Sequence, residues 1–166
     1  MSEQEAIAAR VETANAAVIE SVRATPMIGW RHPVSEGDHR SAATLAHHIG
    51  AGYDNALDWG LSIRSTGHMI DITPEGIAAQ NAEHALRFPL PDPQEVIEYL
   101  AASCDELATL IRSIADLELD QPSTNVVMGE NWTLRDVFEA TVRHTERHHA
   151  QFVAAVERAE AEAESR

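Results

Sequence analysis

The stretch Val137-Phe138-Glu139-Ala140-Thr141-Val142-Arg143-His144-Thr145-Glu146-Arg147-His148-His149-Ala150-Gln151-Phe152 decides how the rest of the chain is read. Val137, Thr141, His144, His148 and Phe152 recur at spacings of four, three, four and four, the repeat of one face of an α-helix. His144 and His148 therefore lie one turn apart on the apolar face and point toward a core. A buried imidazole needs partners for both ring nitrogens, and a metal satisfies two such rings together. Thr133 opens this helix as its cap, with Asp136 at the position where a capping box usually carries Glu or Gln. The pattern runs past Val156 into a Glu/Ala-rich stretch. Residues 1–157 are expected to form one domain and 158–166 an acidic, frayed tail.

Three more long helices appear toward the N-terminus. From Glu3 to about Ala24, Ile7, Val11, Ala14, Val18 and Val22 form one stripe. A loop with Pro26, Gly29, Pro33 and Gly37 follows. A second helix runs from about Ser41 to Arg64 and stops near Ser65-Thr66-Gly67, where Gly ends it. Thr73-Pro74 is a cap with proline at the first helical position, opening a short helix that runs through Leu86 and that Phe88-Pro89-Leu90-Pro91 breaks. Asp92-Pro93 repeats the signal for the third long helix, whose stripe is Val96, Ile97, Leu100, Cys104, Leu107, Leu110, Ile111 and Ile114. Residues 118–131 are expected to be a loop with a short extended piece at Val126-Val127. No strand pattern is convincing. Four amphipathic segments of roughly 22 residues would each span about 33 Å, a matched set for an all-α four-helix bundle with long connections and a short extra helix between the second and third.

The second long helix supplies a third histidine. Leu45, His48, Ile49, Gly52 and Ala56 lie on its inward stripe, whereas His47 shares a wetter face with Thr44, Ala51, Asp54 and Asp58. His48 is thus the expected ligand and His47 a surface residue. Gly50 and Gly52 thin the helix beside His48. His149 leans toward the flank of its stripe and is not assigned to the metal. Three histidines on two facing helices make an open site, in which water or substrate takes the remaining positions. Neutral imidazole suits Zn²⁺, Ni²⁺, Cu²⁺ or Fe²⁺.

Leu45-Ala46-His47-His48-Ile49, followed by His144 through Phe152, resembles the DinB-like superfamily. Its pattern is one histidine on the second helix, then H-x-x-x-H, two residues, Gln and an aliphatic or aromatic residue. Asn131-Trp132-Thr133-Leu134-Arg135 resembles the family's approach to its last helix. Thr73-Pro74-Glu75-Gly76-Ile77 through Asn81-Ala82-Glu83-His84-Ala85 is similar to members close to the metal-binding domain of mycothiol-dependent maleylpyruvate isomerase. The resemblance spans most of the chain. It implies up-down-down-up topology and a divalent metal on His48, His144 and His148, with Zn²⁺ expected first and Ni²⁺ as the alternative. It also implies a low-molecular-weight thiol such as mycothiol or bacillithiol, whose pKa the metal lowers. No second domain is expected beyond the bundle, and the isomerase activity itself is therefore not expected either.

Composition bounds the partners. Twelve basic and 27 acidic residues give a net charge of −15, which opposes binding to nucleic acid or to an anionic membrane. No apolar run approaches the ~18 residues of a membrane span, and Met1-Ser2-Glu3-Gln4-Glu5 starts acidic, unlike a signal peptide. One cysteine, Cys104, has no internal disulfide partner, so a cytoplasmic location is expected. Residues 92–120 carry eight acids against one arginine, which places the acidity on the solvent face of the third long helix. The expected partner is a small-molecule substrate. A homodimer is compatible with such a bundle, but no stretch identifies an interface.

Among other candidates, Cys104 is expected to be a small core residue. Trp30, Trp59 and Trp132 are expected as packing anchors. Asn81, Glu83 and His84 are candidates for a pocket beside the metal, although a surface helix is the favoured explanation. Gln151 either supports the site or faces solvent. Three functions compete: a metal- and thiol-dependent S-transferase acting on small electrophiles, a metal-dependent hydrolase, and a non-catalytic ligand-binding bundle with a structural metal. The hydrolase needs a general base, for which Glu83 and Glu146 are nominated.

Overall fold

Each long helix begins where the local sequence answers its first amides or lowers the cost of leaving them open. The chain is represented by a computed structural model that describes residues 1–71, 73–124 and 132–165. Its helices are α1 (Glu3–Ala24), α2 (Met27–Trp30), α3 (Ala42–Thr66), α4 (Pro74–Arg87), α5 (Pro93–Ser113), α6 (Asp116–Leu119) and α7 (Leu134–Glu164). Ser41 Oγ accepts from Thr44 N at 3.0 Å and Asp92 Oδ1 from Gln94 N at 2.8 Å. At α7 the box is reciprocal: Asp136 N donates to Thr133 Oγ1 (3.1 Å), and Thr133 N donates to Asp136 Oδ2 (2.9 Å). Aspartate does here what glutamate usually does. α3 stops at Gly67, whose φ of 70° suits a residue without a Cβ.

Contacts between the long helices fix their directions. Arg112, at the end of α5, pairs with Glu5 and Glu12 in the first half of α1, so these helices are antiparallel. Glu3, Arg10 and Ser21 of α1 meet Arg135, Glu139 and His149 of α7 in ascending order, so these are parallel. Gly52 and Gly60 of α3 lie against His144 and Phe138 of α7, in descending order, whereas Gly50 and Gly60 lie against Tyr99 and Leu110 of α5, in ascending order. The bundle is therefore up-down-down-up, with α1 and α3 each packed on α5 and α7. Among the described residues there is no strand, only two isolated bridges, and no helix is long and apolar enough to cross a membrane.

The core follows the expected stripes, with informative departures. On α1 it is Asn15, not Ala14, that is buried, because its Nδ2 donates to Leu100 O of α5 at 3.2 Å. The one-turn helices α2 and α6 occupy stretches read at least partly as loop, each pinned by a buried apolar residue, Trp30 and Leu119. α7 continues through the stretch expected to fray. Ala159 is buried, Arg158 donates to Val34 O, and His32 Nε2 lies 3.9 Å from Glu162 Oε1. That end is held by the segment joining α2 to α3. The expected extended piece at Val126-Val127, and Asn131, lie outside the described residues. α4 buries no residue. It stands as an outer wall rather than as part of the bundle.

Candidate functional site

Between the second turn of α3 and the facing turns of the antiparallel α7, His48, His144 and His148 each offer a ring nitrogen within 4.8 Å of the others. Ring centroids are separated by 5.2 Å (His48–His144), 5.1 Å (His48–His148) and 4.4 Å (His144–His148). Space for this cluster comes from a missing side chain. A Cβ on Gly52 would fall 2.7 Å from His144 Cε1 and 2.9 Å from its Nδ1, so the α3 backbone itself forms the seat for that ring. His148 is oriented by Gln151, whose Oε1 accepts from Nδ1 at 2.7 Å. That bond leaves Nε2 with the lone pair. The Nη2 of Arg147 reaches to 3.3 Å from it.

Burial, reinforced by the other rings and Arg40, pushes His48 down to about 3. Burial, followed by His148 and Arg147, pushes His144 to about 3 as well. His148 is also lowered, by burial first, with the Gln151 bond opposing. All three are neutral near pH 7, the form that coordinates metal. His144 Nδ1 is buried and meets no partner among the described residues, an omission proteins seldom make. Three neutral imidazole donors whose ring nitrogens lie within 4.8 Å of one another fit a divalent ion of the borderline class.

His47 departs from expectation. It is half-buried, stacked on Phe88 (3.9 Å between centroids) and Tyr99 (4.5 Å), with Nδ1 2.8 Å from His84 Nε2. Burial, and then His84, push it down to about 4. The stripe on α3 alone leaves this face to solvent, but the chain leaving α4 folds back over it. Thr44 Oγ1 donates to Phe88 O at 2.9 Å, and Gly50 admits the Tyr99 ring, which a Cβ would meet at 2.6 Å. His84, half-buried, lies 5.5 Å from His48 between centroids. His47 and His84 thus attach α4 to the bundle beside the three-histidine cluster. His149 turns the other way, its Nε2 2.7 Å from Ser21 Oγ of α1.

The cluster opens into a cleft of about 610 Å³. Arg40, Arg143 and Arg147 line it, together with Asn55, Trp59, Ile77 and Asn81. No carboxylate lines it among the described residues. Glu83 is exposed and off this wall, and Glu146 faces a small cleft on the opposite flank with Arg10 and His149. A larger cleft of about 950 Å³ adjoins the first, sharing Arg40 and Asn81. Trp59 is therefore a cleft wall as well as a packing residue. Cys104 is 4% exposed, and burial pushes its thiol up to about 11. It is a core residue. The three arginines and Asn55 escaped the sequence reading. Their one available signal was the four-residue repeat of Arg143 and Arg147, one position before His144 and His148.

The sequence profile of the DinB superfamily matches residues 5–152. This chain belongs to the DinB superfamily. In fold, this DinB superfamily protein is similar to YfiT from Bacillus subtilis, at 15% identity and a TM-score of 0.79 over 95% of this chain and 89% of that one. YfiT is described as a probable metal-dependent hydrolase with an unusual four-helix bundle topology. A Streptococcus pneumoniae protein is also similar, at 15% identity and a TM-score of 0.70 over 93% and 90% of the two chains. These likenesses are ones of fold. No curated protein matches in sequence.

Proposed function

We propose that this DinB superfamily protein is a divalent-metal enzyme, a thiol-dependent S-transferase acting on small electrophiles. The supporting observation is the convergence of His48, His144 and His148 in a cleft whose described wall carries no carboxylate. His48, His144 and His148 would hold Zn²⁺, or Ni²⁺ in its place, and the ion would lower the pKa of a low-molecular-weight thiol such as mycothiol or bacillithiol, so that thiolate would be available at neutral pH. The chain does the rest. Gln151 holds the His148 tautomer, and Gly52 seats His144. Trp59 and Ile77 narrow the cleft with apolar surface, while Asn55 and Asn81 present amides to whatever enters. The adjoining cleft has room for the electrophile. Sulfur bonds to its electrophilic carbon, the leaving group departs with its electron pair, and the thiol proton passes to solvent. Cys104 does not compete as nucleophile, since its protonated thiol sits in the core. Unpaired cysteine and thiol chemistry both suit a cytoplasmic setting.

A hydrolase is the second reading, favoured by the description of YfiT. Against it, neither Glu83 nor Glu146 lines the cleft to serve as base. Among the described residues no fourth histidine, cysteine or carboxylate joins the three rings, which opposes a closed structural site. The test is metal analysis of the purified protein, followed by titration of the cobalt-substituted form with mycothiol, bacillithiol and glutathione. A changed cobalt spectrum supports thiol coordination. An unchanged spectrum with every thiol overturns the transferase in favour of the hydrolase or a non-catalytic binder. Unchanged metal content and melting temperature in His144→Ala overturn the metal site itself.

A further inference from the structure

The acidic chain places three of its twelve arginines, Arg40, Arg143 and Arg147, on one cleft. They are not equivalent. Arg40 is engaged by Asp38, with Nη2 2.8 Å from Oδ2 and Nε also donating. Arg143 and Arg147 form no ion pair among the described residues. They are exposed and sit one turn apart on α7. A like-charged pair at this spacing destabilises a helix. The carboxylates that could relieve it locally are turned away. Glu139, four residues before Arg143, bonds Arg10, and Glu146, three residues after it, faces the small cleft with Arg10 and His149. Arg147 meanwhile leans inward to 3.3 Å from His148 Nε2.

We infer that the ligand of this cleft carries an anionic group, a carboxylate, phosphate or sulfonate, held by Arg143 and Arg147 beside the three histidines. The inference rests on the metal-site reading above for its location and extends it to the chemistry of the ligand. Paired guanidinium groups match planar or tetrahedral oxyanions. Trp59 and Ile77 give the organic body of the ligand an apolar wall, and Asn55 and Asn81 add donors. Electrostatic focusing by a positive cleft also concentrates such a ligand against the repulsion of a protein with net charge −15. The anionic group can belong to the thiol or to the molecule it attacks, and the choice of probes separates these.

The experiment is calorimetric titration of metal-free and cobalt-loaded protein, wild type and R143Q/R147Q, with three probes. Mercaptosuccinate carries thiol and carboxylates, succinate carboxylates alone, and 2-mercaptoethanol thiol alone. Both substituted side chains are exposed and neither is a proposed ligand, but Arg147 touches His148, so circular dichroism and metal analysis check that the fold and the cobalt content persist. The expected result is a loss of about tenfold or more in carboxylate-probe affinity in R143Q/R147Q, larger at low salt, with 2-mercaptoethanol unchanged. Loss for mercaptosuccinate alone assigns the anion to the thiol. Loss for succinate as well shows a site that accepts the anion from either reactant. Equal affinities of wild type and R143Q/R147Q for both carboxylate probes, in both protein forms, overturn the inference. Failure of the wild type to take up cobalt would sink the metal reading instead, and succinate binding to metal-free protein still tests the arginines.

Discussion

Gly52→Ala should separate the stability of the bundle from the integrity of its site. In a helix interior, alanine is favoured over glycine by about 1 kcal/mol. The new Cβ, however, would lie 2.7 Å from Cε1 and 2.9 Å from Nδ1 of His144, closer than non-bonded atoms allow. Overpacking of this kind costs about 1–3 kcal/mol where neighbours are immovable. Here the obstructing group is a side-chain ring beside a cleft, and His144 is only partly buried. The ring therefore swings outward before the α3 or α7 backbone moves, and the propensity gain offsets most of the remaining strain. Melting of chelator-treated protein should change by no more than about 2–4 °C, the equivalent of roughly 1 kcal/mol in a chain this size. Metal affinity, measured by chelator competition, should fall by about 10–100-fold, as it does when the support of a ligand is removed. Wild-type metal affinity in Gly52→Ala would refute the claim that the seat on α3 positions His144. A collapse of the chelator-treated melting temperature would refute the claim that the ring yields before the backbone.

Gln151→Leu removes the acceptor of His148 Nδ1–H and should lower metal affinity by about tenfold without changing the fold, read by chelator competition and circular dichroism. Metal-free protein should lose stability as pH falls. His48 and His144 lie at about 3 when folded, against an ordinary 6.5, so below pH 6.5 the unfolded chain takes up protons that the folded one refuses. The loss should approach about 1 kcal/mol per ring per pH unit between pH 6 and 5. Denaturant melts in chelator should show a flatter pH profile for H48Q/H144Q than for wild type. Thr133→Ala removes the α7 cap and should cost about 1 kcal/mol in the same assay, with metal binding retained because the cluster lies several turns away.

Much of the scaffold was legible because helix boundaries and stripes are local. Asp92-Pro93, Ser41, Thr133 with Asp136, and Gly67 act through backbone groups a few residues away, and a helical repeat identifies its own apolar face. His144 and His148 share such a face, and Leu45, Ile49 and Ala56 mark the one that carries His48. His47 was misread because the residues that cover it, Phe88, Tyr99 and His84, come from distant parts of the chain. The same holds for Asn15, whose burial depends on a carbonyl of α5.

Amino-acid order alone was enough to specify four amphipathic helices, their caps and stops, and the faces bearing three histidines, since each depends on period and nearest neighbours. Packing was needed to bring two of those faces together at Gly52, to turn Glu139 and Glu146 toward α1, and to leave Arg143 and Arg147 on the cleft. Charge balance in a cleft is set by which side chains meet across helices, and that meeting has no period in the chain.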